Sequence, residues 1–225
     1  MYMGVGAPSS FTTNFPATEN PISQGGIWLG GATDGLDWND VKTTGGQAVG
    51  AAFVSGYNDP SAILKSSYFS VSNDQFAEGV VYRASGYTPS ANYHEIQLRL
   101  RFSISAHDAH GYEILFALDN TGSSNDGWAV VKWLGSLGSY TTISSNGATL
   151  VGKINDGDVF RAELRGSTMK VFRNSVQLGS DIDMTLGGTL SMWNSGQPGI
   201  GMFPQTPGCT LDSLGWKQFT CGNLS

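Results

Sequence analysis

The chain of 225 residues is 40% hydrophobic, only 13% charged and carries 31 glycines, a composition that suits one sizeable core built from many short strands joined by turns. A net charge of -6 with a pI near 4.9 excludes a nucleic-acid partner, because no basic stripe exists to release counterions. A membrane-spanning helix is excluded too, since the longest apolar stretch, Ala48 to Val54, falls far short of the ~20 residues needed.

Taken in chain order, the opening MYMGVGAPSSFTTNF has no Lys or Arg ahead of an apolar block and does not read as a secretory leader. The expected organisation is an arm over residues 1–10, one sandwich over 11–220 and a tail over 221–225. TDGLDWND offers Asp34, Asp37 and Asp40 as hard oxygen ligands for a loop Ca²⁺. Their spacing is not that of an EF-hand, and solvated turn aspartates are the preferred reading, so no cofactor is expected. Strands follow at QAVGAAFV, SAILK and DQFAEGVVYR; Asp59-Pro60 could instead open one helical turn through Ser61 to Lys65.

The clearest element is HEIQLRLRFSIS, where Ile96, Leu98, Leu100, Phe102 and Ile104 alternate with Glu95, Gln97, Arg99, Arg101 and Ser103. Period two predicts a strand with one buried and one solvated face. GYEILFALD after the link AHDAH predicts its antiparallel neighbour, and WAVVKWL, apolar on both faces, a strand covered on each side. The turn Asn155-Asp156-Gly157-Asp158 leads into GDVFRAELRG, which returns at Gly166-Ser167 into TMKVFRN and at Asn174-Ser175 into VQLGS. Trp128, Trp133 and Trp216 fall in strands and are assigned to the core. No stretch holds helical spacing beyond a turn or two and no fixed-period repeat is present, so the chain is all-β.

This order of elements resembles the lectin-like sandwiches of the concanavalin A and laminin-G type. FTTNFPATENPISQGGIWL looks like their first strand and tryptophan turn; GYEILFAL, GDVFRAELRGSTMKVFRNSVQLG, GQPGIGMF and LDSLGWKQF complete the series from Phe11 to Phe219. The resemblance implies a single antiparallel β-sandwich of jelly-roll type and speaks for fold far more than for activity. It also implies that CTLDSLGWKQFTC is one closing strand, which would hold Cys209 and Cys221 roughly 40 Å apart at 3.3 Å per residue, well beyond the ~7 Å a disulfide tolerates. A hairpin around Ser213 to Gly215 is the competing arrangement. The closing strand predicts two free thiols.

RAELRG resembles the central strand of the jelly-roll alginate lyases, whose arginines and glutamate hold a substrate carboxylate, but no Gln-Ile-His strand accompanies it: His94, His107 and His110 all lie upstream of Arg161. The solvated side of an ordinary strand is the simpler reading of Arg161, Glu163 and Arg165. Sandwich glucanases place their acids as Glu-x-Asp-x-Glu on one strand, whereas none of Glu19, Glu78, Glu95, Glu113 and Glu163 has an acid two residues away. Asp156 with Asp158, and Asp181 with Asp183, have the spacing but read as turn and solvent-face residues, and the histidines as exposed loop residues. The chain is therefore expected not to be an enzyme.

Aromatic faces in Gly/Ser/Asn-rich loops remain, at Trp38, Tyr57, Tyr87, Tyr93 and Trp193, as candidates for glycan or partner contact. The functional expectation is a non-catalytic structural or attachment protein on a particle surface, such as a bacteriophage capsid-decoration or fibre protein, working against a shell protein, copies of itself or a surface glycan. A secreted bacterial carbohydrate-binding module is the alternative, and a polysaccharide lyase or glycosidase a remote one.

Overall fold

The computed structural model describes residues 8–32, 37–90, 93–119, 125–185 and 192–225, with the side chains of 145–148 left aside. Its strands are β1 (Ser10–Thr13), β2 (Thr18–Glu19), β3 (Trp28–Gly30), β4 (Val41–Thr44), β5 (Ala48–Gly50), β6 (Ser61–Leu64), β7 (Gln75–Arg83), β8 (Tyr93–Ser105) and β9 (Asp108–Asp119). They continue with β10 (Gly127–Gly135), β11 (Tyr140–Thr149), β12 (Val159–Arg165), β13 (Thr168–Arg173), β14 (Val176–Gln177), β15 (Ile182–Asp183), β16 (Gln197–Pro204) and β17 (Leu214–Asn223). A seven-stranded sheet has the order β11-β10-β9-β8-β16-β6-β3, and a ten-stranded sheet the order β14-β13-β12-β7-β17-β5-β4-β2, with β1 paired to β17 and β15 to β13. Both are antiparallel, giving the all-β chain that the alternation predicted and the jelly-roll β-sandwich that the resemblance implied.

The main core lies between the sheets. Ile96, Leu98 and Leu100 of β8 with Ile114 and Phe116 of β9 face Ala77 and Val81 of β7, Phe160, Ala162 and Leu164 of β12, and Trp216 and Phe219 of β17. Phe116 and Phe160 stack across the gap with centroids 3.9 Å apart, a contact that adds to the burial of each ring. Gly79 is a glycine because Trp216 lies on it: an added Cβ would sit 2.3 Å from the indole.

Several boundaries differ from expectation. QAVGAAFV is a strand only over β5, and Asp59-Pro60 enters β6 directly with no helical turn. A 3-10 turn over Leu211–Ser213 precedes β17, which runs on to Asn223, past the expected tail boundary. Cys221 is therefore buried inside the last strand while Cys209 lies before it, its thiol donating to the Tyr93 carbonyl at 3.3 Å; both are free.

The larger correction concerns HEIQLRLRFSIS. Its five apolar residues do not share a face: Ile96, Leu98 and Leu100 belong to the main core, but Phe102 and Ile104 belong to a second cluster with Trp38, Ile63, Ala109, Val131 and Trp133. The register of β8 against β9 shifts between Leu100 and Ser103, and Arg101 has φ 46°. One extra residue inverts the alternation beyond it. Of the polar residues only Ser103 is solvated as expected: Gln97, Arg99 and Arg101 are buried and Glu95 is half-buried. Arg101 donates from Nε to Asn73 O (2.7 Å), from Nη1 to Trp193 O (3.0 Å) and from Nη2 to Gly166 O (2.9 Å), so loops from both sheets close on one guanidinium.

Two glycines make room for this bulge. A Cβ on Gly111 would lie 2.6 Å from the Phe102 Cα, and one on Gly196 would lie 2.2 Å from the Arg101 carbonyl carbon, at φ 142° and 133° respectively. Gly196→Ala is expected to destabilise the fold by about 1–3 kcal/mol, on the order of 2–10 °C in Tm for a chain of this size. Thermal denaturation measures it, and an unchanged midpoint would mean that the bulge is not constrained there.

Candidate functional site

The bulge turns Phe102 and Ile104 into the second apolar cluster on the outer face of the seven-stranded sheet, and Val131 and Trp133 of that cluster also line a cleft of about 270 Å³. β8 contributes Tyr93 and Glu95, β9 Glu113 and Leu115, β10 Ala129, Val131 and Trp133, β11 Tyr140 and Thr142, and β16 Phe203. Gly56, Tyr57 and Asp59, in the loop before β6, complete the lining with Gln205. Cross-strand register brings these together, with Glu113 opposite Arg99, Trp133 opposite Tyr140, and Phe203 opposite Glu95.

A continuous polar network underlies the cleft. Gln97 Nε2 donates to Asp59 Oδ2 at 2.8 Å and to Glu95 Oε2 at 3.3 Å. Arg99 pairs through Nη1 with Glu113 Oε2, and its Nη2 donates to Ser61 Oγ (2.9 Å) and Gln97 Oε1 (2.6 Å). Trp133 Nε1 donates to the same Glu113 oxygen at 2.8 Å. The network crosses β16 at Gly201, where a Cβ would come within 2.5 Å of Gln97 Oε1 and 2.6 Å of Arg99 Nη2. Arg99 has its guanidinium carbon 5.3 Å from the Trp38 ring centroid and 4.8 Å from that of Phe102, so aromatic faces cover the cation that the Glu113 carboxylate pairs.

The acids differ in state. Burial, reinforced by Glu113, pushes the Glu95 carboxyl from 4.5 up to about 8, against the opposing Gln97 hydrogen bond and Arg99 charge. Burial raises Asp59 well above the usual carboxylate range, again with Glu113 adding to the effect. At neutral pH Glu95 thus presents a protonated carboxyl beside the Arg99–Glu113 ion pair, so the floor offers both hydrogen-bond donors and acceptors.

Of the loop aromatics singled out in the sequence, Tyr57 and Tyr93 meet at this cleft, 50% and 43% exposed. Tyr57 rests over the Gly138 turn and lies 5.5 Å from Tyr140, itself 40% exposed. The exposure expected of Trp38 is corrected: it is 2% exposed, its ring 4.4 Å from that of Trp133, because the inverted end of β8 supplies apolar partners that a solvated strand would lack. Trp193 is half-buried against the main core, donating from Nε1 to Trp133 O, and Tyr87 is occupied by a hydrogen bond to His94 Nδ1 at 2.8 Å. His94 is itself buried, contrary to the loop reading, which pushes its pKa down to about 3; His107, by contrast, is exposed.

The other sequence candidates lie elsewhere. Asp34 lies outside the described residues, Asp37 pairs with His107 at 2.9 Å, and Asp40 accepts from the Ala32 amide at 3.0 Å. Arg161 and Glu163 stand on the outer face of the ten-stranded sheet. There Arg161 bonds Glu163 Oε1 at 2.7 Å and Glu78 Oε2 at 3.4 Å and stacks on Phe76, so its charge is already spent on protein partners.

Asp59, Glu95, Gln97 and Glu113 carry no paired-acid signal in the sequence, because that signal needs two acids two residues apart on one strand. β8 does carry that spacing, but as Glu95, Gln97 and Arg99; the further carboxylates come from β9 and a loop. The available signal was Glu113, an acid inside the otherwise apolar GYEILFAL.

Glu95 makes stability depend on pH. Its native pKa lies above the unfolded value, so between about 4.5 and 8 the native state keeps a proton that the unfolded state has released, and stability falls as pH rises through that window. Glu95→Gln removes this dependence, while His94 acts alike in both proteins. Urea midpoints are expected to favour the variant increasingly from pH 5 to pH 8.5; parallel curves would exclude a desolvated Glu95.

No protein-family model and no curated protein matches the sequence. Among solved structures, the carbohydrate-binding module CBM66 from Bacillus subtilis is similar at 15% identity and a TM-score of 0.50, over 90% of this chain and 96% of that one. The kappa-carrageenase from Pseudoalteromonas carrageenovora is similar at 9% identity and a TM-score of 0.51, over 98% of each chain. Bacteroides ovatus xyloglucan-locus GH43B reaches a TM-score of 0.58 at 11% identity, over all of this chain and 41% of that one. At such identities the likeness establishes the fold alone: a concanavalin A-like jelly-roll sandwich, an architecture that serves carbohydrate-binding and carbohydrate-cleaving proteins alike.

Proposed function

We propose that the protein is a non-catalytic glycan-binding protein and that the cleft on the outer face of the seven-stranded sheet is its site. The observation that carries this reading is the grouping of Tyr57, Tyr93 and Tyr140, each at least 40% exposed, around the polar floor of Asp59, Glu95 and Glu113. Tyrosine rings offer apolar faces for the C–H surface of a sugar, and carboxyl groups take its hydroxyls. Hydrolysis by paired carboxyls needs one protonated acid and one carboxylate free to act on water or on the sugar. Glu95 fits the first description. Glu113 is committed to Arg99 and Trp133, and Asp59, itself buried, accepts a hydrogen bond from Gln97, which favours binding over cleavage.

Such a cleft suits an attachment protein on a virion surface and a secreted binding module equally. Blotting purified particles for the chain separates the two.

Tyr140→Ala and Tyr57→Ala are expected to weaken glycan binding about tenfold each, ~1.4 kcal/mol, measured by calorimetry with a ligand found on a glycan array. Because both rings are exposed, stability should change by no more than about 0.5 kcal/mol. New reducing ends released from a polysaccharide, and lost in Glu95→Gln, would overturn the non-catalytic reading.

A further inference from the structure

We infer that the cleft selects glycans free of acidic groups and rejects those carrying uronate or sulfate. The inference rests on the glycan-binding reading and adds a substrate class to it. Its basis is the disposition of charge. All twelve Lys and Arg residues of the chain fall among the described residues, and none of the described residues lining the cleft is a Lys or Arg. The charged and ionisable groups that do face it include Asp59, Glu95 and Glu113.

Arg99 is the cation beneath the floor, and it is not available to a ligand. It is fully buried, covered by the Trp38 and Phe102 rings, and its terminal nitrogens are engaged by Glu113, Ser61 and Gln97. A carboxylate or sulfate placed over the tyrosines would exchange its hydration for a partly desolvated cleft with no cation to pair it, while the Glu113 carboxylate stands nearby. Taking an unpaired anion out of water is costly, and a like charge adds to that cost. A sugar hydroxyl has no such difficulty, for it donates to a carboxylate and accepts from a protonated carboxyl. On the outer face of the other sheet Arg161 is paired with Glu163 and Glu78, Lys170 pairs with Asp181 at 3.5 Å, and Arg165 donates to the Ser225 carbonyl.

The test is calorimetric titration at low ionic strength, where charge discrimination is least screened. The probes are neutral oligosaccharides (cello-, xylo- and laminari-oligomers) set against oligogalacturonate, oligoalginate and carrageenan oligomers. Neutral ligands are expected to bind at least about tenfold more tightly than any acidic one, with the gap narrowed in Tyr93→Lys, which adds a cation at the rim, and unchanged in Arg161→Ala on the opposite sheet. Acidic oligomers binding as tightly as neutral ones would overturn the selectivity while leaving the glycan site standing. Binding of no oligosaccharide of either kind would remove the site itself.

Discussion

The arrangement depends on one local event, the extra residue at Arg101. Up to Leu100 the even positions of β8 face the other sheet; from Phe102 onward they face away from it. A strand cannot change face by rotating gradually, because its side chains alternate strictly, so the change requires a bulge. The backbone there lies against Gly111 and Gly196, and the Arg101 side chain is held by carbonyls from Asn73, Gly166 and Trp193. That guanidinium ties turns on both sheets to the middle of β8.

The outer face of the seven-stranded sheet is shaped by this inversion. Phe102 and Ile104 would add to the main core if the alternation continued; turned outward, they give Trp38, Ile63 and Trp133 something to pack against. The resulting apolar wall excludes water from Arg99 and Glu113. A buried ion pair carries a large desolvation penalty, and its value lies in fixing geometry more than in net stability. Here the pair is joined to Gln97, Glu95 and Asp59, with Gly201 leaving the space through which the network passes. A buried polar network in which Arg99 is held through both terminal nitrogens keeps its members in one arrangement, which is what a preformed binding floor requires.

The two sheets thus have different characters on their outer faces. That of the ten-stranded sheet pairs its charges locally, as Arg161 does with Glu163 and Glu78, and behaves as an ordinary solvated surface. That of the seven-stranded sheet withdraws its charges beneath aromatic side chains and leaves tyrosine faces exposed. The RAELRG motif, conspicuous in the sequence, belongs to the first; the inconspicuous Glu95, Gln97 and Glu113 belong to the second.

The sequence by itself determined the all-β class, the positions of the long strands, the antiparallel pairing of HEIQLRLRFSIS with GYEILFALD, and the burial of Trp128, Trp133 and Trp216, because alternation and turn residues are local properties read along the chain. Tyr57 was legible as a loop aromatic for the same reason, whereas Tyr93, read as loop-like, is the first residue of β8. Tertiary structure alone decided that Arg99 and Arg101 are buried, that Trp38 is covered, and that Asp59, Glu95 and Glu113 from a loop and two strands share one floor. Period two assigns residues to faces only while the register is unbroken, and the bulge at Arg101 is fixed by glycines ten and ninety-five residues further along the chain, Gly111 and Gly196. Which residues lie opposite one another depends on strand pairing across those distances, and no local pattern in the sequence encodes it.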